Sequence, residues 1–337
     1  MKKVISTLIA LLLVSFTSVT AQTNDFYDDA ETLKLNVSGI ELLGEIANPG
    51  TVKMEALPLR SVIVKETLLQ DGKDKFIGAY RYDGYSLYDI LNQAVLQKKN
   101  EAEFPPIIDL YVEVENAKGE KVVFSWGELY YPIHQHEILI ATQVARIVPS
   151  KTKDLWPLPA DSRLVVASDL LTHRNISNPT KITVKSYTGK YEIVKGLSPM
   201  YSKSFSITNE TKNLAEISTL PLNIDTHTYP AVFYGRGRGI HGTTPFTGVL
   251  LKELLASYVA VNENNLKTGL FVIAGKDGYH ATFSFAEVMN RNDQAEFLII
   301  PAEKEPDGGA FMVYPAADFF SDRAIKSVES IRIVNVK

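Results

Sequence analysis

Apolar and polar positions alternate with a period of two over many short stretches of this chain. They follow the 3.6-residue period of a helix over only a few. Alternation and β-branched content predict strands at Leu33 to Val37, Ile107 to Glu115, Lys121 to Ser125, Leu164 to Ala167 and Lys181 to Lys185. In the second half they predict Leu270 to Ile273, His280 to Ser284, Phe311 to Tyr314 and Ser330 to Val336. Helical spacing joins Leu87, Ile90, Leu91 and Ala94, with Ser86 as N-cap of a helix over Leu87 to Leu96; Leu251, Leu254, Leu255 and Tyr258 repeat it. Asn116-Ala117-Lys118-Gly119 and Gly275-Lys276-Asp277-Gly278 predict hairpin turns, because Gly and Asn reach positive φ at little cost. Many strands with few helices predict a mixed α+β fold rather than alternating βαβ units.

The pattern comes twice. Tyr82-Asp83-Gly84 with Leu87, Ile90 and Leu91 is answered by Phe246-Thr247-Gly248 with Leu251, Leu254 and Leu255. Phe124-Ser125-Trp126-Gly127-Glu128 is answered by Phe283-Ser284-Phe285-Ala286-Glu287. Asp169, Arg174, Ile176 and Ile182 are answered by Asp318, Arg323, Ile325 and Ile331. Three matches in one order, at offsets that only shrink, indicate a duplication with shorter loops in the second copy. The expected division is a signal peptide over 1–21, a flexible polar lead-in over 22–33, a first module over 34–187, a linker over 188–204 and a second module over 205–337.

The signal peptide is read from Met1-Lys2-Lys3, the apolar run Val4 to Val14 and the small-residue site Val19-Thr20-Ala21. Ser6, Thr7, Ser15 and Thr17 interrupt the stretch of about 20 apolar residues that a membrane span needs. The chain has no cysteine, so lipid attachment at the cleavage site is excluded, and the expectation is an exported protein, periplasmic or extracellular, with no membrane anchor after cleavage. Disulfides are excluded too, and stability must come from buried cores. A net charge of −4 gives nucleic acid no reason to bind, which leaves a small anion or a protein as the expected partner.

In their order, the aromatic-x-Gly segment, the hairpin ending Phe-Ser-x-x-Glu, the Asp followed by Arg-x-Ile and the final apolar strand resemble the molybdopterin-binding domain of the sulfite oxidase family. The resemblance implies two tandem sulfite-oxidase-like modules of mixed β-sheet, each with one or two short helices. It also implies a molybdenum-ligating cysteine ahead of the aromatic-x-Gly motif. Arg236 stands there in the second copy and Gly72 or a neighbour in the first, and neither offers the soft thiolate such a metal uses. Lys2-Lys3 in place of paired arginines marks a chain exported unfolded, before it could hold a cofactor. No cofactor is therefore expected, with molybdopterin as the alternative.

Two segments carry candidate chemistry. In Tyr234-Gly235-Arg236-Gly237-Arg238-Gly239-Ile240-His241-Gly242-Thr243-Thr244, alternating glycines allow close backbone approach, while Arg236, Arg238, His241, Thr243 and Thr244 offer donors to an anion. His134-Gln135-His136-Glu137 places two imidazoles near a carboxylate, a partial zinc or copper site. The recurring Asp169/Arg174 and Asp318/Arg323 suit ion pairs within each module, and Glu128 and Glu287 suit capping boxes after Ser125 and Ser284. No catalytic residue is assigned, for the six histidines are scattered and no Gly-x-Ser-x-Gly elbow is present. The expected function is thus a non-redox binding or interaction protein on a duplicated molybdopterin-binding-domain fold, with a small-anion pocket in the second module. Its alternatives are a molybdopterin-dependent oxidoreductase with a non-cysteine metal environment and a periplasmic metal-binding protein using His134 and His136.

Overall fold

Among the described residues strand accounts for 44% and helix for 12%, and each α-helix is a turn or so of five or six residues. Helices this short cannot form a layer of their own. The computed structural model describes residues 31–149, 151–210, 212–303 and 308–337; the expected signal peptide and positions 22–30 of the lead-in lie outside them. The strands gather into four small sheets arranged as a four-bladed β-propeller. This corrects the expected α+β fold of two tandem sulfite-oxidase-like modules: the molybdopterin-binding-domain resemblance and the tandem arrangement both give way to one mainly β body.

Blade topology shows why the sequence reads as it does. In the first blade, Pro179–Ser186 runs parallel to Glu41–Gly44 and antiparallel to Leu110–Asn116, which hairpins to Lys121–Ser125. In the third, Val328–Asn335 runs parallel to Phe205–Asn209 and antiparallel to Gly269–Gly275, which hairpins to His280–Ser284. The second blade pairs Arg60–Gln70, Lys73–Ser86, Ile138–Arg146 and Arg163–Val166 in that order, and the fourth pairs Thr226–Tyr229, Phe246–Leu250, Phe297–Pro301 and Phe311–Pro315. What recurs is a pair of blades rather than a separable module. Each third strand is supplied from far along the chain, so no blade closes on a contiguous segment.

The aromatic-x-Gly motif is a packing requirement of these blades. A Cβ on Gly84 would lie 2.1 Å from the Ile140 carbonyl oxygen, and one on Gly248 would lie 2.3 Å from that of Ile299. Both contacts are with backbone, and only glycine permits them. Gly72 takes part in a turn: Asp71 and Gly72, at φ 51° and 73°, form the two-residue loop joining Arg60–Gln70 to Lys73–Ser86.

Apolar side chains fill the space between neighbouring blades. Val112, Val114, Phe124, Ile140, Leu164 and Ile182 are almost wholly buried between the first two, and Phe271, Ile273, Phe283, Phe297, Ile299 and Ile331 between the last two. Each contributes about 1.5–3 kcal/mol relative to exposure. The second core also takes Phe104, Ile108, Tyr131 and Leu171 from the first half, so the halves share their interior.

Backbone contacts join the halves in two equivalent places. Phe319 N donates to Tyr131 O (2.7 Å) and Ile133 N to Ala317 O (3.0 Å); Leu170 N donates to Asn290 O (2.8 Å) and Asn292 N to Ser168 O (3.0 Å). The four bonds are related by an approximate twofold. Asn290 and Asn292 tighten the second place with side-chain bonds to Leu171, Ala167 and Asp169.

Candidate functional site

Two helical turns, Trp126–Tyr130 and Phe285–Met289, start at Ser125 and Ser284 and bring four carboxylates and two arginines together at the centre. Arg174 binds Glu128 and Asp169, each at 2.6 Å, and Arg323 binds Glu287 at 3.0 Å and Asp318 at 2.7 Å. All six side chains are 4% exposed or less. The serines cross between halves: Ser284 Oγ donates to Glu128 and accepts from Arg174 Nη1, while Ser125 Oγ donates to Glu287 and accepts from Arg323 Nη1. The ion pairs expected within each half are present. Ser284 and Glu287 form a full capping box; Ser125 caps Glu128 N, but the Glu128 carboxylate serves Arg174 instead.

Burial governs the acids of this cluster. Asp169 is pushed up to about 6 because complete burial outweighs Arg174, and Glu287 to about 7 because burial outweighs Arg323. Asp318 moves up for the same reason. Burial alone would lower the two arginines, but their carboxylates more than reverse it and keep both charged. Every member has partners within the protein, so the cluster reads as the bolt between the halves.

Beside it lies a cleft of about 160 Å³, lined from both halves by Pro132 to Ile138, by Arg291, Asp293 and Ala295, and by Ala316 and Ala317, with Glu128 and Leu129 of the helical turn also on its wall. Arg291 Nε donates to Asp293 Oδ1 at 2.8 Å in a two-pronged pair. The carboxylate holds the arginine charged against burial, and the guanidinium keeps Asp293 below the usual range despite burial. Glu137 moves up, first through burial and then through the Asp293 carboxylate, with Arg291 and His134 opposing.

Both candidate histidines line this cleft. His134 is exposed. His136, at φ 69°, places Nδ1 2.9 Å from Ser86 Oγ and 3.5 Å from Asp89 Oδ2, and burial lowers its basicity. Serine, histidine and aspartate meet here without forming a relay. Both partners address the same ring nitrogen, and Ser86 Oγ is buried as the N-cap of Leu87–Leu91. Among the described residues no group of three His, Cys, Asp or Glu is placed to hold a metal ion. Two imidazoles are two of the four ligands of a structural zinc site.

The glycine-arginine segment forms a separate hairpin of Phe233–Gly235 and Gly239–Gly242, with Gly239 at φ 72°. Arg236 Nε lies 3.3 Å from Asp322 Oδ1, and its guanidinium is 6.0 Å from the Tyr131 ring centre. His241 lines a shallow cleft of about 400 Å³ together with Tyr279, Asp277, Asp322 and Lys326. Arg238, Thr243 and Thr244 are exposed and do not line it. Arg236 and His241 are thus brought near one acidic wall, and the other three candidates are not gathered with them.

No protein-family model matches this chain, and no curated protein matches it. Among the described residues no helix is long and apolar enough to cross a membrane. Glu137 entered the sequence reading only as the carboxylate beside His134 and His136, and Arg291 and Asp293 were not assigned to a site. The signal that links them is that the loop with Glu137 and the loop with Asp293 precede corresponding strands, Ile138–Arg146 and Phe297–Pro301.

Proposed function

We propose that this chain is an exported, non-catalytic binding protein whose ligand site is the cleft between its halves, around His134 to Glu137 and Arg291 to Ala295. The observation that carries this reading is the lining. Two loops from opposite halves converge on one mostly apolar recess, beside a charge cluster whose own bonds are satisfied, a setting typical of ligand pockets. Export is supported by the sequence over 1–21 alone. The molybdopterin alternative drew its motive from a fold that the chain does not have, and the metal alternative has only His134 and His136 to offer.

Filling the cleft tests the reading. Ala317→Trp places an indole in the recess, and small polar and amphipathic compounds are screened by ligand-observed saturation-transfer NMR against both proteins. Compounds that bind the parent are expected to lose their signal in the variant while the unfolding midpoint stays within a few degrees. Equal binding by both would place the ligand site elsewhere.

A further inference from the structure

The cleft contains one carboxylate that no cation bonds, although Arg291 and His134 act on it through space. Arg291 is matched by Asp293, Glu128 by Arg174, and Asp89 on the adjoining helix by Arg60 at 3.2 Å. His136 is less basic than a free imidazole and is held through Nδ1 by Ser86. That leaves Glu137. It is partly buried, lines the cleft, and its carboxyl has no hydrogen-bond or ion-pair partner among the described residues. An unpaired carboxylate in a partly desolvated site gains from a cation that enters with it.

The rest of the wall says what kind of cation. Leu129, Ile133, Ile138, Ala316 and Ala317 make most of the recess apolar, and the Tyr88 ring stands at its edge, edge-on to the His136 imidazole at 5.2 Å. A hydrated metal ion would find one free carboxylate and two imidazoles there, and among the described residues no three such groups are placed to hold it together. A primary ammonium carried on a short apolar body meets both carboxylate and hydrocarbon: the charge lies on Glu137, and the body covers the alanines and leucine. From this geometry we infer that the cleft takes a small organic ammonium ion, with Glu137 as its anionic anchor. The inference rests on the cleft being the ligand site, as proposed above.

Three probes of similar size separate the possibilities: n-butylammonium, butyrate and 1-butanol, each titrated by saturation-transfer NMR against the full chain, Glu137→Gln and Ala317→Trp. The expected result is binding of butylammonium alone, weakened about tenfold or more by Glu137→Gln and abolished by Ala317→Trp. The glutamine keeps the shape of the side chain, and an unchanged urea midpoint confirms that Glu137→Gln is folded. Preference for butyrate or butanol, still abolished by Ala317→Trp, would overturn the ammonium assignment and leave the cleft as the site. Butylammonium binding that survives Ala317→Trp, or no binding by any probe at 10-millimolar scale, on the order of the weakest affinity expected for so small a ligand, would overturn both.

Discussion

Replacing Arg323 by methionine removes one cation from the centre of the propeller and leaves its neighbours in place. The guanidinium donates from Nε and Nη2 to Asp318 (2.8 and 2.7 Å) and from Nη1 to Glu287 (3.0 Å) and to Ser125 of the other half (3.1 Å); it also stacks 4.7 Å from the centre of the Phe283 ring. Methionine retains much of the packing against Phe283 and none of the charge. Asp318 and Glu287, 2% and 1% exposed, are then buried without a cation of their own. Breaking such a pair costs about 3–5 kcal/mol. With a urea m-value of about 3 kcal/mol/M, the midpoint at pH 8 should fall by roughly 1–1.7 M.

The same variant carries an internal check. Protonation relieves an orphaned carboxyl, and Glu287 already titrates near 7 in the intact cluster. The loss of stability should therefore be clearly smaller at pH 5 than at pH 8. Urea unfolding followed by circular dichroism at both pH values reads the effect. A loss below about 1 kcal/mol at pH 8, or an equal loss at both pH values, would refute the view that these carboxylates are ionised and held by Arg323.

The intact protein has a pH dependence of its own. Asp169 and Glu287 bind protons more readily when folded, at about 6 and about 7, than when unfolded, so their contribution is full below about pH 4 and is lost as pH rises through those values, by up to about 1.4 kcal/mol per pH unit for each group. Glu45, Glu263 and Asp293 are shifted down and withdraw their contribution only as pH falls below about 4. His136, His173 and His280, made less basic by burial, oppose this by adding stability as pH rises through the histidine range. Thermal midpoints should still be lower at pH 8 than at pH 5, and a higher midpoint at pH 8 would contradict this balance. Gly84→Ala and Gly248→Ala each drive a methyl into a backbone carbonyl; each should cost about 1–3 kcal/mol by urea unfolding, and neutrality of both would remove the packing reason for the motif.

The strand content, the caps at Ser86 and Ser284, the hairpin turn at Gly119 and the paired recurrence of Asp169/Arg174 and Asp318/Arg323 were all legible in the chain, because each depends on local periodicity, on φ preferences or on a short spacing. The strand Lys73–Ser86 was hidden because Lys73, Asp74 and Lys75 are exposed at its start and break the apolar alternation. The helix expected over Leu87 to Leu96 stops at Leu91. Which strands share a sheet could not be read at all: Glu41–Gly44 and Pro179–Ser186 are far apart in sequence and meet only through long-range pairing. That pairing turned an expected succession of modules into four blades with a shared interior. The candidate site divides in the same way. His134 and His136 attract attention because their residue types are rare and close together, whereas the unpaired state of Glu137 depends on Arg291, brought to it by a loop of the other half, being taken by Asp293 two residues further on. Local sequence determined the elements and their caps, since those energies act over a few residues. The tertiary structure decided which charges are matched and which one is left facing the cleft, since burial and pairing depend on neighbours that only the folded chain brings together.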